Sequence, residues 1–122
     1  MPEIRILIVD DEKELAESMF DLLEYEGYSV ELAGTGEEAL QRVDMAYPDL
    51  LILDIKLPGI NGLDVLQHVR ETRSFLPILI VSASSQKGTR ERAKELGADD
   101  VLLKPFDEEE LLSIIKKLLE KR

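Results

Sequence analysis

Cysteine is absent from all 122 residues, which excludes a disulfide scaffold and any thiolate metal site. Also lacking is an apolar run long enough for a signal peptide or a membrane helix. The chain opens Met1-Pro2-Glu3 and then carries only a short aliphatic segment. No linker, repeat or low-complexity stretch interrupts it, so residues 1–122 read as a single domain. Positive charge is scarce: 15 Lys and Arg face 26 Asp and Glu, for a net charge of −11. Such a surface repels phosphate backbones, so neither direct nucleic-acid binding nor a membrane partner is expected. It suits divalent cations and basic partner surfaces. With 44% hydrophobic and 34% charged residues, a globular cytoplasmic domain is the expectation.

What is present is an alternation. Arg5 to Val9, Leu50 to Leu53 and Ile78 to Val81 are short, nearly continuous aliphatic runs, the mark of strands buried on both faces. Tyr28 to Leu32 alternates instead, with Ser29 and Glu31 between apolar neighbours, and fits an edge strand. Val101 to Leu103, bounded by Asp100 and Lys104, fits a second edge. Amphipathic segments fill the gaps. Leu15, Met19, Leu22 and Leu23 share a face that Gly27 terminates. Thr35 with Glu38, and Asp107 with Glu110, have capping-box spacing. Val65, Leu66 and Val69 carry a third helix. The fold class follows: α/β, a doubly wound (βα)5 three-layer sandwich of the flavodoxin-like kind, with parallel strand order 2-1-3-4-5.

Sites in such sheets lie at the carboxyl ends of the strands, beside the switch point between strands 1 and 3. Those ends carry Asp10-Asp11, Asp54, Ser82 and Lys104-Pro105. Three carboxylates, a hydroxyl and an ammonium therefore meet on one rim. Hard oxygen ligands of this kind suit Mg²⁺. Each residue also has a plainer role. Asp10 and Asp11 are good helix N-cap residues, Asp54 precedes a turn at Pro58-Gly59, and Lys104 is an ordinary surface charge. The five together are much more specific than any one.

The segments Ile6-Leu7-Ile8-Val9-Asp10-Asp11, Asp54-Ile55-Lys56-Leu57-Pro58 through Gly62, Val81-Ser82-Ala83, Gly97-Ala98-Asp99-Asp100 and Lys104-Pro105-Phe106 resemble receiver domains of two-component response regulators. The resemblance covers essentially the whole chain, in order and spacing. It implies that Asp54 accepts a phosphoryl group, from the phosphohistidine of a sensor kinase or phosphotransfer protein. It further implies Mg²⁺ or Mn²⁺ held by Asp10, Asp11, Asp54 and the backbone carbonyl of Lys56. Ser82 would bind the transferred group, Lys104 would neutralise it, and the Lys104-Pro105 bond would be cis. Two departures stand out. Val101 occupies the position, three residues before Lys104, where the family often carries Tyr or Phe, so an aromatic switch is not expected. Lys56 places a long cation near the site mouth, either paired with a carboxylate or phosphoryl group or simply exposed. His68, the one histidine, reads as a solvated residue.

The fourth helix is poor in apolar residues. From Gln86 to Gly97 only Ala93 and Leu96 qualify, which marks either a solvated helix or a weakly held switch element. In the last helix Leu111, Leu112, Ile114, Ile115, Leu118 and Leu119 spread over roughly 160°, wide for a core stripe. Either a broad core face or a surface for a second copy or an output domain, formed with helix 4 and strand 5, accounts for that. Rival functions fit less well. A haloacid-dehalogenase-type phosphatase would need Asp-x-Asp after strand 1, where this chain has Asp10-Asp11-Glu12, and a cap domain. A flavodoxin-like cofactor carrier would need a Ser/Thr/Gly-rich loop there. A pseudo-receiver would not need the complete set of Asp10, Asp11, Asp54, Ser82 and Lys104.

Overall fold

A computed structural model of the chain describes residues 3–83 and 88–121. Strands and helices alternate throughout: β1 Arg5–Val9, α1 Lys13–Tyr25, β2 Ser29–Ala33, α2 Gly36–Ala46, β3 Leu50–Asp54, α3 Gly62–Thr72, β4 Ile78–Ser82, α4 Thr89–Glu95, β5 Asp100–Leu103 and α5 Glu108–Glu120. The strands form one parallel sheet in the order β2-β1-β3-β4-β5, as the patterning implied.

The aliphatic runs are continuous because side chains alternate between two cores. Leu7, Val9, Leu51, Leu53, Ile78 and Ile80 pack with Val43, Val65, Leu66 and Val69 of α2 and α3 on one face. Ile6, Ile8, Leu50, Ile52, Leu79 and Val81 pack with Met19, Leu23, Leu111 and Ile115 of α1 and α5 on the other. The edge strand β2 is only partly buried until Ala33. Leu112, Ile114 and Leu119 of α5 also pack, half-buried, against the second core, which accounts for the wide apolar arc of that helix.

Local signals set the ends of the helices. Gly27 at φ +98° closes α1, with its N–H on the Glu24 carbonyl and that of Tyr28 on Leu23. Asp107 and Glu110 form the expected capping box of α5. Thr35 caps α2 by accepting the Glu38 N–H, but the Glu38 carboxylate binds the Gly34 N–H, one residue further back than a capping box requires. At α1 the N-cap is Glu12, and its side chain makes no cap hydrogen bond, so neither Asp10 nor Asp11 occupies the capping position. Strand β2 runs one residue later than the pattern placed it, and α4 begins at Thr89 after Gly88 at φ +93°. Gln86 and Lys87, expected in that helix, lie outside the described residues. Ala93 is fully buried and Leu96 packs against the first core, the two anchors the sequence offered.

Candidate functional site

Parallel strands put their carboxyl ends on one rim, and burial of β1 and β3 on both faces fixes where each chain leaves the sheet. Asp10 follows β1, with its N–H on the Ala33 carbonyl at 3.1 Å. Asp54 and Ser82 are the last residues of β3 and β4, and they are the two buried polar residues of the sheet proper. Lys104 follows β5, tied to the end of β4 by its N–H on the Ser82 carbonyl at 2.8 Å. The segment after Asp54 turns at Gly59, φ +74°, and returns so that the Gly62 N–H reaches the Ile55 carbonyl at 2.7 Å. A Cβ on Gly62 would collide with the Asp54 carbonyl, so only glycine lets α3 start this close to the site.

The Lys104 ammonium gathers the rim. Its Nζ lies 3.0 Å from Asp10 Oδ2, 3.2 Å from Asp54 Oδ2 and 2.9 Å from Glu12 Oε1. Burial raises the Asp54 pKa above its ordinary value; repulsion from Asp10 adds to this and attraction to Lys104 opposes it. For Lys104, burial works against the charge. Hydrogen bonds to Glu12 and Asp10 and attraction to Asp54 outweigh it and hold the pKa above the usual lysine value.

Asp10, Glu12 and Asp54 each offer a carboxylate oxygen within 4.8 Å of the others. With Lys104 counted, three negative charges face one positive, an excess of two. Hard, anionic oxygen donors with that deficit fit a divalent cation such as Mg²⁺ or Mn²⁺. Asp10, Asp54 and Lys104 are thus in direct contact, and Ser82 sits buried at the neighbouring strand end. Asp11 and Lys56 are exposed, and Asp11 stands outside the close carboxylate set. His68 is exposed on α3, away from these contacts. The Lys104-Pro105 bond is cis, as the resemblance implied.

Glu12 is the residue the sequence reading passed over. Its signal was its spacing: in an extended segment, residues two apart share a side, so Glu12 follows Asp10 rather than Asp11. Glu12 has that extended backbone, φ −79° and ψ 96°.

Comparison with known proteins agrees with this geometry. The family described as the response regulator receiver domain matches residues 6–116. Response regulator MprA of Mycobacterium leprae is 46% identical over 116 residues, 95% of this chain and 51% of that protein. MprA of Mycobacterium tuberculosis is 44% identical over the same share of the chain and 50% of its own length. The chain therefore spans about half the length of these curated relatives. Among solved structures, a CheY-like response regulator receiver domain protein from Methanospirillum hungatei superposes with a TM-score of 0.94 at 32% identity, covering 98% of this chain and 96% of that one. The non-phosphorylated HemR receiver domain from Leptospira biflexa gives 0.90 at 34%, covering 96% and 94%.

Proposed function

The chain belongs to the response regulator receiver domain family of two-component systems, and from that premise we propose that it takes a phosphoryl group onto Asp54 and relays the event as a conformational signal. The observation that carries this reading is the Lys104 ammonium, held between Asp10 and Asp54 at the strand ends. The donor is the phosphohistidine of a sensor kinase or phosphotransfer protein. Residues 1–122 form the receiver unit, working in the cytoplasm.

Phosphoryl transfer has a loose transition state with charge spread over the equatorial oxygens, so positioning and charge stabilisation dominate. A carboxylate oxygen of Asp54 forms the new O–P bond as the donor's N–P bond breaks. The bonding pair stays on the imidazole nitrogen, which then takes up a proton. Lys104 neutralises the arriving oxygens, and the Ser82 hydroxyl donates to one of them after transfer. Asp10 and Asp54 of the close carboxylate set, joined by the exposed Asp11 beside them and the Lys56 carbonyl, would hold Mg²⁺ or Mn²⁺, while Glu12 engages the Lys104 ammonium. When bound, that ion supplies charge compensation for an anionic group approaching an anionic nucleophile. Water later attacks phosphorus, restores the Asp54 carboxylate and releases inorganic phosphate. The domain catalyses this self-reset and turns over no other substrate.

The signal leaves through Ser82, whose chain leads toward α4. No ring occupies position 101; instead Arg90 of α4 donates to the Val101 carbonyl at 3.0 Å, a tie that a moving Ser82 segment would strain. Helix α4 offers little apolar anchorage beyond Ala93 and Leu96, so the face formed by α4, β5 and α5 is where an output domain or a second copy would read the change.

Incubation with acetyl phosphate and Mg²⁺, followed by intact mass measurement, tests the reading. Wild type should gain one phosphoryl group and Asp54→Asn none. Undiminished labelling of Asp54→Asn would move the acceptor elsewhere.

A further inference from the structure

The Lys104 ammonium has three hydrogens to donate, and three carboxylates already engage it. A phosphoryl oxygen arriving at Asp54 is a fourth acceptor. One existing partner must therefore give way.

The three partners differ in how easily they can leave. Asp10 is fixed twice, by Lys104 at Oδ2 and by the Glu12 N–H on Oδ1 at 2.9 Å, and its side chain is 2% exposed. Asp54 is itself the acceptor that carries the arriving group, so it stays beside Lys104, and its side chain is 6% exposed. The Glu12 side chain is 59% exposed, so water can replace Lys104 at little cost, although its contact is the shortest of the three. We propose that Glu12 is a positioning residue that holds the Lys104 ammonium in the resting site and is the partner exchanged for the phosphoryl oxygen. This rests on Asp54 being the acceptor and Lys104 its neutralising cation, as above. It assigns Glu12 a role in setting the phosphorylation rate, through Lys104 rather than as a nucleophile.

Glu12→Gln removes the charge and keeps the length of the side chain. It weakens the competing contact, so phosphorylation by acetyl phosphate with Mg²⁺ should run roughly fivefold faster than in wild type, the scale of an exposed ion pair. A general loss of negative charge would also speed an anionic donor, and the Lys104→Ala background separates the two causes. There, Glu12→Gln should leave the slower rate unchanged. A second readout needs neither metal nor phosphate. In the resting protein, the Lys104 ammonium hydrogens, followed by ¹H–¹⁵N NMR, should exchange with water several-fold faster in Glu12→Gln and Glu12→Ala than in wild type.

Acceleration that disappears with Lys104, together with faster ammonium exchange, is the expected result. A wild-type rate in Glu12→Gln, acceleration that survives Lys104→Ala, or unchanged ammonium exchange would each overturn the role of Glu12. Failure of wild type itself to be labelled would instead overturn the phosphoacceptor reading beneath it.

Discussion

Each end of the sheet holds a cation against carboxylate, and the two ends are balanced differently. At the amino end, Arg70 of α3 donates through Nε to the Gly97 carbonyl at 2.8 Å and through Nη1 to the carbonyls of Leu76 at 2.6 Å and Arg73 at 3.2 Å. Its Nη2 meets Asp99 Oδ2 at 2.7 Å, and that oxygen also accepts the Ile78 N–H at 2.7 Å. One positive charge meets one negative, and three further contacts go to backbone carbonyls. That end is closed and ties α3, β4 and the start of β5 together. At the carboxyl end, Lys104 has no carbonyl partners among the described contacts and too many carboxylates. The surplus of negative charge costs stability when nothing further binds, and it gives the site an appetite for cations. Residues at a binding site are often kept despite that kind of cost.

Removing one member at each end should therefore shift stability in opposite directions. The larger effect belongs to Arg70→Ala. It takes the cation from Asp99, which keeps the Ile78 N–H, and leaves three carbonyls without the Arg70 donors, and denaturant unfolding should show a loss of about 2–4 kcal/mol. Asp54→Asn should instead stabilise the fold by about 1 kcal/mol at neutral pH, since it relieves the like-charge crowding. The pH dependence fixes the sign. Burial raises the Asp54 pKa in the folded state, so the fold is favoured while Asp54 is protonated and loses that contribution as pH rises through the raised pKa. The advantage of Asp54→Asn should accordingly be full above the raised pKa, shrink as the pH falls through it, and be gone below about pH 4, the ordinary carboxylate range. Should both variants destabilise alike, the contrast between the two ends would be lost.

The sequence carried the architecture well because its signals were redundant. Runs such as Ile6 to Val9 and Leu50 to Leu53 could belong only to strands buried on both faces, and Gly27, Asp107 and Glu110 marked helix ends by their chemistry. Asp10, Asp54, Ser82 and Lys104 were legible because the strand order dictates where strand ends go. What was not legible depended on the path of the chain just past β1. Two adjacent aspartates looked equivalent in sequence, yet the extended backbone sets Asp10 in the cluster, leaves Asp11 exposed and brings in Glu12. The same holds for Arg70 and Asp99. They are 29 residues apart, and no local pattern announces that the α3 terminus and the turn before β5 meet.

The surplus of negative charge at the carboxyl end can be measured directly. Thermal unfolding with increasing Mg²⁺ should raise the Tm of wild type, with about 1.4 kcal/mol gained per tenfold excess once the site is occupied. Asp54→Asn, with one carboxylate fewer, should respond distinctly less, and Arg70→Ala should shift as much as wild type from its lower starting point. A wild-type Tm that stays fixed across the titration, or an equal rise in Asp54→Asn, would contradict a site built with more anion than its own lysine can balance.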